Sequence, residues 1–327
     1  MEYFSVIGGL ILLVIAGDKL VDGSVAIAER FNISKLVIGI TVVSIGTSAP
    51  ELVVGIDAAL SGAVEIALGN VAGSNIANIL LVLGIPALFY PFSCDDGEIR
   101  HSLFYMMFAT LLFIMLSYYG PLHIWQGVLM LTLLAIFLFY AVKRAKNNAK
   151  ILKHDKDFAE RALEDIGPQT EKSPHFSKVI ITIVLGLAGL VFGAHILVDG
   201  AVIIARTVGI PEAIIGLSIV AIGTSLPELV TSIMAARNKH GDVAMGNIIG
   251  SNLFNILAIM GVTSLVAPVT IPEQFFRIDF PILLVTSLML IPLAMGKIKI
   301  NRLTGIVFTL FYIAYLLFLG QQANLFA

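Results

Sequence analysis

The sequence predicts an all-α polytopic membrane protein of ten transmembrane helices, arranged as two inverted-topology five-helix repeats. Three observations predict it. Of 327 residues, 58% are hydrophobic and 13% charged, with a mean hydropathy of +0.96. A soluble domain of this size could not cover so much apolar surface with so few charges. The apolar residues also fall into runs near the roughly 20 residues that a helix needs to span hydrocarbon. Finally, the chain repeats itself at an offset of 177 residues: from Gly39 to Gly84, 23 of 46 positions match their partner without a gap. Polar and small residues match best in this repeat. Chance likeness between apolar helices would instead match Leu, Ile and Val.

In chain order the runs lie near residues 3–28, 36–60, 66–91, 102–119 and 121–142, then 178–205, 213–236, 243–270, 279–296 and 303–320. The first could imitate a signal peptide, but no Lys or Arg precedes it and its repeat partner lies deep in the chain, so it reads as a retained helix. Residues 1–142 form the first repeat and 178–327 the second. Between them, 143–177 is charged and polar, a solvated linker too short for a domain, with a helical stretch expected around Phe158 to Leu163. The single cysteine, Cys94, leaves no disulfide within the chain.

Five helices per repeat is an odd number, so the second copy enters the membrane from the opposite side and a pseudo-twofold axis in the membrane plane relates the two. With both termini outside, 17 of the 20 Lys and Arg fall on cytoplasmic segments, nine of them from Lys143 through Lys178. That bias favours a cytoplasmic linker and a cell (inner) membrane location. The net charge of −2 gives no sign of a nucleic-acid partner; the lipid bilayer is the expected surroundings.

The duplicated core is Gly46-Thr47-Ser48-Ala49-Pro50-Glu51, repeated as Gly223-Thr224-Ser225-Leu226-Pro227-Glu228. Glu51 and Glu228 each sit mid-run, where an ionised carboxylate costs on the order of 3 kcal/mol. No Lys or Arg occurs from Leu36 to Ile99, from Thr207 to Ala236, or from His240 to Phe276. Lys19 is embedded in the first helix, but Asp18 and Asp22 beside it are its expected partners. A bound metal cation or a proton is then the remaining way to neutralise the glutamates, against the plainer reading of two protonated structural side chains. Pro50 and Pro227 remove the backbone donors that would reach Gly46 and Gly223 and crowd those carbonyls. The helix is therefore expected to open before each glutamate, freeing carbonyls near Ser44 to Gly46 and Ala221 to Gly223 as hard oxygen ligands. Thr47, Ser48, Thr224 and Ser225 add hydroxyls at that level.

Asn70, Ser74 and Asn78 share one face of the third helix, and Asn247, Ser251 and Asn255 share one face of the eighth. Ser74, Asn78, Ser251 and Asn255 are the favoured ligands there. Interhelical hydrogen bonding is the competing role, and it weighs more for Asn70, Asn75, Asn247 and Asn252. Gly69, Gly73, Gly246 and Gly250 read as close-packing surfaces. An all-oxygen set suits hard, flexibly coordinated cations, Ca2+ and Na+ first, and the lack of Cys and His in the motifs argues against Zn2+ or Cu. His195 and Asp199 read as a hydrogen-bonded pair outside the ligand set. Asp22 and Asp199 match within a shared Leu-Val-Asp-Gly, near helix ends, where capping or lining an ion path are both open roles.

The paired Gly-Thr-Ser-x-Pro-Glu and Gly-Asn-x-x-Gly-Ser-Asn motifs resemble the α-repeats of the cation/calcium antiporter superfamily, most closely its prokaryotic sodium/calcium exchangers, over nearly the whole chain. The resemblance implies ten helices, the second, third, seventh and eighth enclosing ion sites while the first and sixth slide across them. It implies ligands at Thr47, Ser48, Glu51, Ser74 and Asn78, at Thr224, Ser225, Glu228, Ser251 and Asn255, and carbonyl ligands at Ser44 and Ala221. Some relatives carry an aspartate where this chain has Asn255. The expectation is a secondary antiporter, not an enzyme, with no cofactor and with Ca2+ and Na+ as transported ions. Proton/calcium exchange through the same glutamates is the alternative, and a passive cation channel is the rival from another class.

Overall fold

Apolar side chains make these segments helical and proline, glycine and asparagine decide where they depart from straight. The computed structural model describes residues 2–94, 98–162, 175–209, 221–295 and 300–322. In the first repeat, α1 is Glu2–Phe31, α2 is the bent pair Lys35–Thr47 and Ala49–Leu60, α3 is Val64–Phe89, α4 is Ile99–Tyr118 and α5 is Ile124–Ala162. In the second, α6 is Phe176–Thr207, α7 is Ala221–Thr224 followed by Leu226–Arg237, α8 is Gly241–Val266, α9 is Phe275–Ala294 and α10 is Arg302–Gln322. Among the described residues, eight helices are long and apolar enough to cross a bilayer and the bent α2, turning by 45°, makes a ninth. The start of the expected tenth span, residues 213–220, lies outside the described residues.

The boundaries follow the apolar runs closely, with two differences. Rather than ending at residue 142, α5 continues unbroken through the charged stretch to Ala162. Lys, Asn and Ala there are compatible with a helix once the preceding apolar turns have nucleated it. A second difference is local. Short π-helical turns interrupt α2 at Gly39–Val43, α3 at Asn78–Val82, α8 at Asn255–Ile259 and the start of α9 at Phe275–Asp279. Such turns gather at functional sites because the extra residue re-aims the side chains beside it.

Matched glycines interlock the repeats. A Cβ on Gly305 of α10 would lie 2.7 Å from the Gly84 carbonyl oxygen of α3, and one on Gly127 of α5 would lie 2.7 Å from the Gly261 carbonyl oxygen of α8. Gly84 and Gly261 are repeat partners, so each third helix ends against the other repeat's fifth. The loops exchange in the same sense through isolated antiparallel bridges, Phe92 with Ile300 and Leu122 with Val269.

Two buried clusters result. The larger joins α2, α3, α4, α5, α8, α9 and α10. The smaller joins α1 and α6 with parts of α2, α7 and α8, including Leu13, Leu20, Ile183, Leu190 and Val230. The contact between α1 and α6 is a glycine seam, for a Cβ on Gly9 would sit 2.8 Å from the Gly193 carbonyl oxygen and one on Gly186 2.9 Å from the Leu20 nitrogen. Small residues are needed where lipid supplies no hydrophobic drive and dispersion must do the work.

The first half of α2 lies on α8 in the same manner. A Cβ on Gly246 would meet the Leu36 carbonyl oxygen at 2.4 Å, and on Gly250 the Ile40 carbonyl oxygen at 2.5 Å. Among the described residues Gly73, the partner of Gly250, has nothing within 4 Å of where a Cβ would sit. Gly246→Ala is expected to destabilise the protein by about 1–3 kcal/mol through overpacking. Gly8→Ala, in α1 with open space around it, is expected to be neutral; thermal unfolding of the two variants in detergent makes the comparison.

Candidate cation site

Pro50 and Pro227 fall at the start of the second halves of α2 and α7. The residue before each second half, Ser48 or Ser225, leaves helical geometry at φ −85°, ψ 9° and φ −90°, ψ 7°. The opening is narrower than the proline rule implies. The Ser48 N–H still donates to the Ser44 carbonyl at 3.0 Å, so that carbonyl keeps one helical partner. In the second repeat the Ser225 N–H reaches only three residues back, to the Ile222 carbonyl at 3.1 Å. Ala221, the other expected carbonyl ligand, begins the described part of α7. The Ser44 hydroxyl donates to the Ile40 carbonyl and is spent inside its own helix.

Each break delivers a glutamate to the interior. Glu51 is 1% exposed and Glu228 is fully buried. Their carboxyls lie within Coulombic reach of each other, although 177 residues of chain separate them. The Ser48 hydroxyl of α2 donates to Glu228 Oε1 of α7 at 2.9 Å, so the two motifs meet directly. The mirror bond is not made, for Ser225 Oγ and both Glu51 oxygens have no hydrogen-bond partner. Among the described residues neither glutamate has an ion pair. Lys19 instead pairs with Asp22 at 3.2 Å, while the Asp18 carboxylate accepts from Asn238 at 3.0 Å.

The asparagines divide into three jobs. Asn70 and Asn247 hold the glutamates' backbone: Asn70 Nδ2 donates to the Glu51 carbonyl at 3.5 Å and Asn247 Nδ2 to the Glu228 carbonyl at 3.3 Å. Asn247 also donates to the Ser232 hydroxyl and accepts from Thr47 Oγ1 at 3.2 Å. Asn75 and Asn252 form a reciprocal clasp, each side-chain amide donating to the other's backbone carbonyl, at 3.4 and 3.5 Å. Asn78 and Asn255 close the pattern by donating to the side-chain oxygens of Asn252 and Asn75, both at 3.1 Å. With their nitrogens committed, Asn78 Oδ1 and Asn255 Oδ1 are held as buried oxygens without a donor.

Seven buried oxygens among the expected ligand residues thus have no hydrogen-bond partner: Glu51 Oε1 and Oε2, Asn78 Oδ1, Ser225 Oγ, Glu228 Oε2, Ser251 Oγ and Asn255 Oδ1. Buried polar atoms are nearly always satisfied. A concentration of buried oxygens in which the two serine hydroxyls supply the donors suits a hard cation, since Ca2+ takes about 6–8 oxygens. Ser74 is 4% exposed on the same face of α3, Thr47 is fully buried, and Thr224 lies half-buried at the end of the first segment of α7. Thr231, a fully buried hydroxyl without a partner one turn beyond Glu228, falls outside the matched motifs. Its repeat partner is Val54, so matching alone discards it; a search of mismatched positions for added polar groups would find it.

Beside the site, a cavity of about 380 Å3 is lined by Pro50 and Val54 of α2, His195 and Val198 of α6, and Gly223 and Thr224 of α7. His195 on its wall pairs with Asp199 at 3.3 Å, as the sequence spacing implied. The pseudo-symmetric position is closed, for a Cβ on Gly17 of α1 would lie 3.0 Å from Val230.

A duplicated helical bundle that meets at two buried carboxylates and a ring of unpaired oxygens defines a polytopic cation transporter. The chain belongs to the sodium/calcium exchanger protein family, matching it over residues 1–143 and 178–321. It is 32% identical over 341 residues to the sodium/calcium exchanger MaX1 of Methanosarcina acetivorans, covering 95% of this chain and 96% of that one. It is 34% identical over 285 residues to the inner membrane protein YrbG of Escherichia coli, covering 86% and 84%. A solved structure of the sodium-calcium exchanger NCX_Mj superposes with a TM-score of 0.78 at 34% identity, covering 96% of this chain and 97% of that one.

Asn252→Ala removes the acceptor of Asn78 and one strand of the clasp. Leaving those buried groups unpaired is expected to cost about 1–3 kcal/mol. Thermal unfolding checks the cost, and weaker Ca2+ binding by calorimetry checks that the clasp orients the Asn78 oxygen.

Proposed function

We propose that the chain exchanges Ca2+ for Na+ by alternating access at the site between Glu51 and Glu228. The observation that carries this reading is the pair of buried carboxylates, one from each repeat, with no basic partner among the described residues and with acceptors around them. Ligation falls to Glu51, Glu228, Thr47, Ser48, Thr224, Ser225, Ser74, Asn78, Ser251 and Asn255, with the Ser44 and Ala221 carbonyls. Two ionised carboxylates give the ion-free site about two negative charges. One Ca2+ neutralises them and three Na+ overshoot by one, so exchange is electrogenic, worth about 2.3 kcal/mol per net charge per 100 mV. Moving the anionic site past apolar gates without ions is costly, which couples the two fluxes.

The glycine seam between α1 and α6 and their separate buried cluster suit a pair that slides as a unit over the rest. The cavity at His195, open where its counterpart at Gly17 is packed, supports access from one side at a time. With 143–177 as a cytoplasmic linker between repeats 1–142 and 178–327, and both termini outside, that cavity faces outward.

In proteoliposomes loaded with Na+, an outward Na+ gradient is expected to drive Ca2+ uptake, faster when the interior is held positive, because each cycle carries one net positive charge out. Glu51→Gln and Glu228→Gln are each expected to reduce uptake to background; normal uptake in either would defeat the assignment. Uptake driven by a pH gradient and indifferent to Na+ would decide instead for proton/calcium exchange.

Asn255→Asp adds a third carboxylate to the site. Because ligand charge tunes Ca2+ affinity, binding is expected to tighten by about tenfold, measured by calorimetry on the purified variant.

A further inference from the structure

The duplication allows the closed inner face of the molecule to be read from the open outer one. On the outer side, Val53 and Val54 of α2 and Ala194 and His195 of α6 line the cavity beside the site. At the 177-residue offset their partners are Val230 and Thr231 of α7 and Gly17 and Asp18 of α1. Val53 is 66% exposed, whereas Val230 is 6% exposed, packed 3.0 Å from where a Cβ on Gly17 would sit. Equivalent helix faces are therefore apart at one end of the molecule and in contact at the other.

We infer that Asp18 and Thr231 form a cation entry site at the inner mouth. It takes Ca2+ between the cytoplasm and Glu228 when α1 parts from α7, and the outer mouth has no equivalent. This rests on the alternating-access reading above and adds to it the two residues that make the mouths unequal.

The first observation is Thr231. Its hydroxyl is fully buried and has no hydrogen-bond partner, and it lies one turn from Glu228, whose Oε2 also has none. A buried hydroxyl in an apolar helix commonly donates back to the carbonyl four residues earlier, as Thr110, Ser264 and Ser287 do. Thr231 does not, so its oxygen is left for a ligand that arrives from elsewhere. Its partner Val54 has no such oxygen, although it lines the outer cavity.

Asp18 supplies the charge. Its carboxylate accepts from Asn238 at 3.0 Å, and the basic side chains nearest in sequence to this pair are engaged elsewhere. Lys19 holds Asp22 at 3.2 Å, and Arg237 donates to the Met234 sulfur at 3.9 Å. Asn238 follows the end of α7, so parting α1 from α7 removes this donor and leaves the carboxylate at the opening. At the matching outer position stands His195, which is joined to Asp199 at 3.3 Å. An acid at the mouth of a low-dielectric cleft raises the local concentration of cations, and a hydroxyl further in is a hard oxygen ligand for them. Between the two lies the packing of Gly17 on Val230 and Met234, which is the contact that has to open. Ca2+ thus meets an acid and a hydroxyl from the inside, and a histidine and a valine from the outside.

Membrane vesicles of both orientations test this. Everted vesicles present the cytoplasmic face to the medium and right-side-out vesicles the outer face, so Na+-driven uptake of radiolabelled Ca2+ gives an apparent KM for each mouth. Thr231→Val installs the residue of the outer mouth, and Asp18→Asn removes the charge while keeping an acceptor for Asn238. Each is expected to raise the KM at the cytoplasmic face by about fivefold and to leave that at the outer face within about twofold of wild type. Val54→Thr combined with His195→Asp gives the outer mouth the inner pair, and is expected to lower the outer-face KM by a similar factor, a gain that misfolding could not produce. Thermal unfolding confirms that the other two variants fold. Equal shifts at both faces would overturn the inference, because Thr231 would then be a ligand of the central site. So would unchanged KM values at both faces in vesicles where wild type exchanges Na+ for Ca2+. Absence of Na+-driven uptake by wild type in either orientation would instead defeat the exchange reading itself, and this inference with it.

Discussion

Two carboxylates sit within reach of each other inside a bilayer-spanning bundle, and no Lys or Arg pairs with either among the described residues. A buried charge costs several kcal/mol even after local relaxation, and like charges brought together add to that cost. A bound cation would offset both costs. Buried hydroxyl and amide oxygens of α3, α7 and α8 lack a partner, and the amide nitrogens that might have donated to the carboxylates are engaged elsewhere: Asn247 on the Glu228 carbonyl, Asn78 and Asn255 on the opposite repeat. The interior is thus built from acceptors, which is the electrostatic inverse of an anion site.

The clasp between Asn75 and Asn252 explains how two separate repeats keep a common site in register. Each amide donates to the other's backbone, so a shift of α3 relative to α8 would break both bonds and unseat Asn78 and Asn255 as well. Matched glycines do the same for the periphery, locking Gly84 to Gly305 and Gly261 to Gly127. The helices that carry the asparagines are therefore anchored across the pseudo-twofold. By contrast, α1 and α6 are packed chiefly on each other and on α7 along a seam of small residues, with Asp18 of α1 accepting from Asn238 at the end of α7.

The pseudo-symmetry is broken in small ways that bear on function. Ser48 reaches Glu228, but Ser225 does not reach Glu51. The cavity at His195 contrasts with close packing at Gly17, where a Cβ would lie 3.0 Å from Val230. Thr231 adds a hydroxyl where the first repeat has Val54. A twofold duplicate that alternates its access must be asymmetric at any instant, because a site open equally to both sides would leak.

Much of the fold was legible in the order of residues. Hydropathy set the spans to within a few residues, because hydrocarbon thickness fixes helix length. The 177-residue repeat exposed the two glutamates and the asparagine faces, because polar atoms in an apolar run are too costly to persist without a role. Other features were not legible. The π turns at Asn78 and Asn255, the extension of α5 to Ala162, the modest opening at Ser48 and the partner of each asparagine depend on contacts between segments far apart in the chain. A sequence states which oxygens are available, but an amide can turn either end to a neighbour. Only the packing of α3 against α8 decides that the Asn78 and Asn255 nitrogens reach across the repeat and leave their oxygens without a donor.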